Sequence, residues 1–410
     1  MATETITQRP AFLSLPKWNQ VPETKHELDW ADLVTLDLSK FDQPGGKQEL
    51  AAQLFDAVNR IGFFYIINFG LTQEEVDRQF SLCKQVFNLP TDEKLKYRAD
   101  LENGGYNGYK PLGIREIKNG VKDNTEIYNI PKFIPQYERA HPAIIQEHWD
   151  EIQYFAKHVN DQIVRKLLVL FALVLELPED YFLKIHRYDE KSDCHFRYMK
   201  YQCVFLPTFL CIIYRWGRSS KLTFSFFANS RRSPEVNKQL DNVWVKGHTD
   251  FGSLTLLFRM GRKKDGRLTF MFPKQRQPVA ALQVRTPEGE WKYVKPYPES
   301  ITVNIADVLQ FLTNGFLKSS IHRVVAPPAD QADVDRHGVL YFVRPEDDTE
   351  LVPIKGSPVL ERLGYDKVLD QATVGLTAGE WVKARVAKNV SRVGKEEESI
   401  IKGVKAKYYD

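Results

Sequence analysis

The stretch Asp241–Phe258, DNVWVKGHTDFGSLTLLF, decides how the second half of the chain is read. It holds two apolar runs with β-like alternation, broken at Phe251-Gly252. Side chains in a strand alternate between faces, so His248 and Asp250 point the same way, about 6–7 Å apart along the chain. Working outward, similar short runs are HFRYMKY (195–201), VAALQVRT (279–286), SITVNIAD (300–307), SIHRVVAP (320–327) and HGVLYFV (337–343). Short strands separated by Gly, Pro and Asp turns, with no long helices between them, predict an all-β sandwich, barrel or jelly roll.

The first half reads differently. Residues 1–32 are polar with scattered prolines and read as an arm. LVTLDL (33–38) and GFFYIINFG (62–70) are its two short strands. Leu50, Leu54, Phe55, Val58 and Ile61 have helical spacing, and Thr72 with Glu75 forms a capping-box signal for a following helix. A long helical pattern spans 143–177. The expected division is an arm at 1–32, a mainly helical region at 33–180, a β domain at 181–349 and a helical extension at 350–410.

The 410 residues carry 57 Lys+Arg and 53 Asp+Glu, a formal net charge of +4. A basic balance invites a nucleic-acid or anionic-membrane partner, but the excess is local. Residues 204–231 and 260–276 together hold 10 basic residues and one Asp, whereas the other 365 hold 47 basic and 52 acidic residues. The bulk is mildly acidic, so neither nucleic acid nor membrane is expected. Both stretches lack Glu, and removing either restores a smooth reading. Joining Arg259 to Gln277 gives SLTLLFRQPVAALQV, expected to be a hairpin. They read as translated non-coding sequence such as retained introns, with genuine long loops as the alternative. Four cysteines without a CxxC fit a reducing compartment. With no signal peptide and no apolar run near the ~20 residues of a membrane span, a cytoplasmic, monomeric protein is expected.

An HxD alone is weak among nine histidines and 53 acids. His322, in a later strand, supplies a third ligand. Two imidazoles and a carboxylate on one face, with other positions open, suit non-haem Fe(II). A zinc hydrolase with the same ligands is less well served, since the chain has no HExxH.

HTDFGSLTLLF, VNIADVLQFLTNG and SSIHRV together resemble the C-terminal domain of the isopenicillin N synthase-like branch of the 2-oxoglutarate/Fe(II) dioxygenases. GFFYIINFG, FNLPTDEK and GGYNGY resemble that family's N-terminal region, so the likeness spans about residues 33–345. It implies a mixed α+β fold: a double-stranded β-helix (jelly-roll) core with a helical N-terminal region and C-terminal helices. It also implies Fe(II) on His248, Asp250 and His322, with 2-oxoglutarate and O₂ as cosubstrates and ascorbate as a stimulant. The implied reaction oxidises an unactivated C–H bond of a small molecule, by hydroxylation first and by desaturation or cyclisation otherwise, releasing succinate and CO₂. The family separates HxD from the distal His by 50–60 residues. Here the interval is 74, and 57 without 260–276.

The family's Arg-x-Ser pair, which holds the far carboxylate of 2-oxoglutarate, falls on Arg336 and Gly338. Gly338 departs from the pattern, and its missing hydroxyl leaves His337, water or a neighbouring residue as replacement. Tyr201 matches the family tyrosine. Tyr106 and Tyr109 fall in the glycine loop that covers the substrate opening. His195 and Arg197 share a strand face that points to the cavity, and Phe251 packs near the iron. Asn304, Asp307, Asn314 and Gly315 read as turn-shaping residues, and Arg323 as a support behind the metal ligands or a salt bridge. The alternatives are a same-fold oxidase that uses O₂ without 2-oxoglutarate, and a non-catalytic jelly-roll binding protein or inactive mis-spliced product.

Overall fold

In the computed structural model the described residues are 9–16, 23–203, 233–259, 279–297, 299–366, 375–391, 398–401 and 404–407. The stretches 204–231 and 260–276 lie outside them. Fourteen strands build the body of the described residues: β1 Val34–Asp37, β2 Phe63–Ile67, β3 Gly108–Lys110, β4 Glu116–Lys118, β5 Val121–Lys122, β6 Thr125–Pro131, β7 His195–Tyr201, β8 Val243–His248, β9 Leu254–Phe258, β10 Leu282–Arg285, β11 Trp291–Tyr293, β12 Ile301–Ile305, β13 His322–Val325 and β14 Arg336–Val343. They form an eight-stranded sheet in the order β1-β2-β12-β9-β14-β7-β6-β3, a four-stranded sheet in the order β11-β10-β13-β8, and a small β4-β5 hairpin. From β7 onward the chain passes repeatedly from the large sheet to the small one and back, as a jelly roll requires.

Period-two alternation explains how the large sheet separates its core from its cavity. Leu254, Leu256 and Phe258 of β9, Ile301, Val303 and Ile305 of β12, and Val339, Tyr341 and Val343 of β14 all join one buried apolar cluster with the helices. The helices contribute Leu50 and Leu54 from Gly46–Arg60, Phe80 from Gln73–Asn88 and Leu167, Leu170 and Phe171 from Arg165–Val174. The intervening residues Thr255, Leu257, Thr302, Asn304, Arg336, Gly338 and Leu340 line a cavity between the sheets. A smaller cluster, including Phe63, Tyr201, Trp244, Leu257 and Val284, packs between the sheets at its inner side. The helix at Gln73 begins with the predicted capping box, the Thr72 side chain and Glu75 bonding reciprocally.

Three expectations need correction. β9 and β10 are not a hairpin: β9 pairs with β12 and β14 in the large sheet, while β10 pairs with β11 and β13 in the small one. Wrapping two sheets around a cavity sends sequential strands to opposite sides, so neighbours in sequence need not pair. The region 33–180 supplies six strands rather than two, and β6 is fully buried beside β7. Its run TEIYNIP mixes polar residues with a proline, which hides it from an alternation search. The C-terminal region contains helices at Pro358–Arg362 and Ala378–Ser391, but then a strand pair, Glu398–Ile401 with Val404–Lys407. No helix among the described residues is long and apolar enough to cross a membrane.

Candidate active site

His248 ends β8, and His322 begins β13 directly opposite it. The two rings lie with centroids 4.3 Å apart. Asp250 follows at the turn into β9, held there by a close backbone approach: a Cβ on Gly252 would stand 2.3 Å from the Val343 carbonyl oxygen. The three side chains offer ligand atoms all within 4.8 Å of one another. His248 Nε2 is 3.9 Å from Asp250 Oδ1, and His322 Nε2 is 3.8 Å from Oδ2.

Each imidazole is oriented by its other nitrogen. His248 Nδ1 donates to the Lys246 carbonyl at 2.8 Å, and His322 Nδ1 donates to that of Ser320 at 3.0 Å. The proton is thereby fixed on Nδ1, leaving an Nε2 lone pair facing the centre on both rings. Asp250 Oδ2 accepts from Thr255 Oγ1 at 2.7 Å and from Asn304 Nδ2 at 3.0 Å. Burial works to raise the Asp250 carboxyl, but His322, His248 and these two hydrogen bonds outweigh it and hold it down to about 2. Burial, then the neighbouring His322, pushes the His248 imidazole down to about 3. A neutral His248 imidazole and an ionised Asp250 carboxylate are the protonation states a divalent cation needs. The donor set fits Fe(II).

Asn304 is therefore no turn residue: it lies in β12 and reaches across to the ligand carboxylate. Asp307 begins the helix Asp307–Leu312, and its backbone N–H donates to the Asp250 carbonyl. Asn314 and Gly315 do make the expected turn, with φ of 49° and 88°. Arg323 supports neither metal nor carboxylate: its Nε donates to Gln283 Oε1 at 2.8 Å and its guanidinium lies over Trp291.

Deeper in the cavity, β14 and β7 set Arg336 opposite Tyr201 and Gly338 opposite Met199. The Arg336 guanidinium lies 4.9 Å from the centre of the Tyr201 ring. Arg336 is 6% exposed and has no carboxylate partner among the described residues. A planar, buried, uncompensated guanidinium is a fork awaiting a carboxylate. His337, on the opposite face of the strand, pairs across to Lys200 and does not stand in for a hydroxyl at Gly338.

Of the residues expected at the substrate opening, the structure brings together Tyr106, Arg197 and Phe251, all of which line the cavity. Arg197 is packed between the Tyr106 and Phe342 rings, 4.7 and 4.1 Å from their centres. Its Nε donates to Asn129 Oδ1 at 2.7 Å and Nη2 donates to His195 Nε2 at 3.0 Å. His195 is thus a buried prop behind Arg197, stacked on Phe342, and does not line the cavity. Tyr109 turns away as well, its hydroxyl donating to Glu126 at 2.6 Å. Arg115, Arg344 and Phe342 complete this wall. None carried a motif, although Phe342 and Arg344 follow Arg336 at strand period and were readable on that ground.

Fold and site together define a non-haem iron oxygenase with a jelly-roll core. Residues 33–151 match the family described as "non-haem dioxygenase in morphine synthesis N-terminal", and residues 226–345 match the 2OG-Fe(II) oxygenase superfamily. The chain is 29% identical over 365 residues to a UPF0676 protein of Schizosaccharomyces pombe, covering 87% of this chain and 92% of that one. It is 27% identical over 342 residues to the 2-oxoglutarate-dependent dioxygenase gloE of Glarea lozoyensis, covering 82% and 87%. Among solved structures, full-length Neurospora crassa T7H in complex with alpha-KG superposes with a TM-score of 0.64 at 21% identity, over 88% of this chain and 99% of that one. The chain belongs to the 2-oxoglutarate/Fe(II) oxygenase superfamily, in its isopenicillin N synthase-like branch. It is a 2-oxoglutarate-dependent Fe(II) dioxygenase, with Fe(II), 2-oxoglutarate and O₂ as its reactants at the metal.

Proposed function

We propose that His248, Asp250 and His322 hold the iron, that Arg336 takes the distal carboxylate of 2-oxoglutarate beside Tyr201, and that the substrate enters on the Arg197 side. The observation that carries this is one cavity holding both a three-donor cluster and a buried guanidinium without an acid. The bound metal and cosubstrate supply the oxidising chemistry, with 2-oxoglutarate leaving as succinate and CO₂. The protein's part is to orient and to exclude side reactions. Nδ1 bonds to backbone carbonyls aim the two imidazoles, and Asn304 and Thr255 fix the carboxylate. Phe63 packs edge-on against His322, its ring centre 5.6 Å away, and keeps that side dry.

The substrate is a small organic molecule with a planar portion for Tyr106, Phe251 and Phe342 and a hydrogen-bond acceptor for Arg197. Hydroxylation is the first expected outcome, with desaturation or ring closure available from the same site. The chain acts as a monomer without a nucleic-acid or membrane partner. The test is an anaerobic titration of the protein with Fe(II) and then 2-oxoglutarate, following the visible metal-to-ligand charge-transfer band, and then a metabolite screen for succinate release. A band that depends on both additions supports the reading. Its absence with metal demonstrably bound refutes it.

A further inference from the structure

Gly338 leaves the cosubstrate carboxylate one donor short, and the strand next door supplies a replacement. β9 and β14 run antiparallel with Leu257 opposite Leu340 and Thr255 opposite Phe342. Carried two residues further, that register sets Arg259 opposite Gly338. Alternation puts the Arg259 side chain on the face of Thr255 and Leu257, which line the cavity. Its Nε donates to Thr302 Oγ1 at 3.1 Å, and Thr302 also lines the cavity. Its Nη2 is buried and has no hydrogen-bond partner.

Arg259 is only 5% exposed, and Arg336 only 6%. Burial, then the charge of Arg336, pushes the Arg259 guanidinium down to about 10, so the two cations feel one another. Neither has a carboxylate within ion-pair distance among the described residues. Two buried like charges with a free donor are costly unless an anion sits with them. The cavity acids do not serve: Asp250 is committed to the metal cluster, and Asp123 is paired with Lys110 at 2.7 Å.

We propose that Arg259 is a second guanidinium for the distal carboxylate of 2-oxoglutarate, replacing the hydroxyl missing at Gly338. This rests on the assignment of Arg336 above. In this arrangement the carboxylate takes donors from both Arg336 and Arg259.

The test measures binding. The full chain is loaded anaerobically with Fe(II) and titrated with 2-oxoglutarate and with 2-oxobutyrate, which has the same chelating end but no distal carboxylate. Arg259→Gln is expected to weaken 2-oxoglutarate roughly 10- to 100-fold, the range for losing a buried charge-assisted hydrogen bond, while leaving 2-oxobutyrate and Fe(II) affinities unchanged. Arg259→Lys loses less. Adding Gly338→Ser to Arg259→Gln restores part of the loss. Wild-type 2-oxoglutarate affinity in Arg259→Gln overturns the proposal, as does equal weakening of both oxo acids, which marks a fold defect. A double variant no tighter than Arg259→Gln overturns the exchange of hydroxyl for guanidinium. Arg336→Gln separates the layers: if it weakens 2-oxoglutarate and Arg259→Gln does not, only the second arginine falls. If neither does, the assignment of Arg336 falls with it.

Discussion

The two ends of the cavity handle charge in opposite ways. At the iron end the chain balances its own charge: Asp250 sits between two imidazoles and its Oδ2 accepts from Asn304 and Thr255, both Nδ1 groups are held by backbone carbonyls, and the two Nε2 lone pairs are left facing the centre. At the inner end Arg336 and Arg259 are buried without an acid among the described residues, and one Nη of Arg259 has no partner there. On the assignments proposed above, the first end is preorganised for a cation that stays, and the second for an anion that is consumed and replaced at each turnover. A buried site can be left incomplete when its missing charge is supplied by a reactant.

The sharpest way to break this contrast is to delete one group from each end. His322→Ala removes a metal ligand from a three-donor set. Fe(II) content after desalting and succinate release should both fall to background, because two remaining donors leave the metal mostly to water. Arg336→Gln should leave Fe(II) content intact and weaken 2-oxoglutarate roughly 100-fold, the equivalent of about 3 kcal/mol for one buried charged partner. Metal analysis beside the charge-transfer titration distinguishes the two. If Arg336→Gln also strips the iron, the ends are not independent and the contrast fails.

The iron end was the more legible of the two in the sequence, for a physical reason. His248 closes an alternating run with Asp250 two residues beyond it, and His322 opens another such run, so the HxD spacing and a ligand chemistry suffice to join them, although the structure ends β8 at His248 and sets Asp250 in the turn that follows. Arg336 and Tyr201 came from the family pattern, and the β7–β14 register pairs them directly. Arg259 was out of reach because its meaning lies across the sheet. Only the pairing of β9 with β14 puts it opposite Gly338, whereas the sequence suggested that β9 turned back on β10. Tyr109 and His195 show the converse. They have the right residue types in the right segments, yet one hydrogen bond to Glu126 and one to Arg197 turn them from the cavity into its supporting wall.

The iron end also has an acid-sensitive prop. His186 Nδ1 donates to the Phe182 carbonyl, and its Nε2 accepts from Ser253 Oγ at 2.8 Å, three residues beyond Asp250. Burial pushes its pKa down to about 4. The unfolded imidazole titrates near 6.5, so between about 6.5 and 4 the unfolded chain binds the extra proton and the native chain does not. Stability is therefore fully present above 6.5 and lost as the pH falls towards 4, by up to about 3 kcal/mol from this residue. Urea midpoints measured across that range should fall on acidification. His186→Gln should flatten part of the slope while lowering stability at neutral pH. An unchanged slope would mean that the shift belongs elsewhere, with His141, also pushed to about 4 by burial, the next group to replace.

The smallest expected effect is none, and it comes from removing 204–231 and 260–276. That β9 and β10 lie in different sheets raises the demand on a direct Arg259–Gln277 joint, which must cross between sheets rather than turn. Packed sheets are about 10 Å apart, and an extended chain covers about 3.3 Å per residue. Arg259 followed by Gln277 to Ala281 leaves six residues between Phe258 and Leu282, or roughly 20 Å of reach, so the crossing is feasible without unpairing either strand. The shortened chain should fold, bind Fe(II) and keep the 2-oxoglutarate affinity of the full chain, since Arg259, Arg336 and the three metal-binding side chains all remain. Soluble yield and the anaerobic titration compare the two forms. A shortened chain that binds Fe(II) but loses 2-oxoglutarate would show that the second stretch is needed to seat Arg259. One that fails to fold would make both stretches part of the protein's architecture and remove the case for reading them as non-coding sequence.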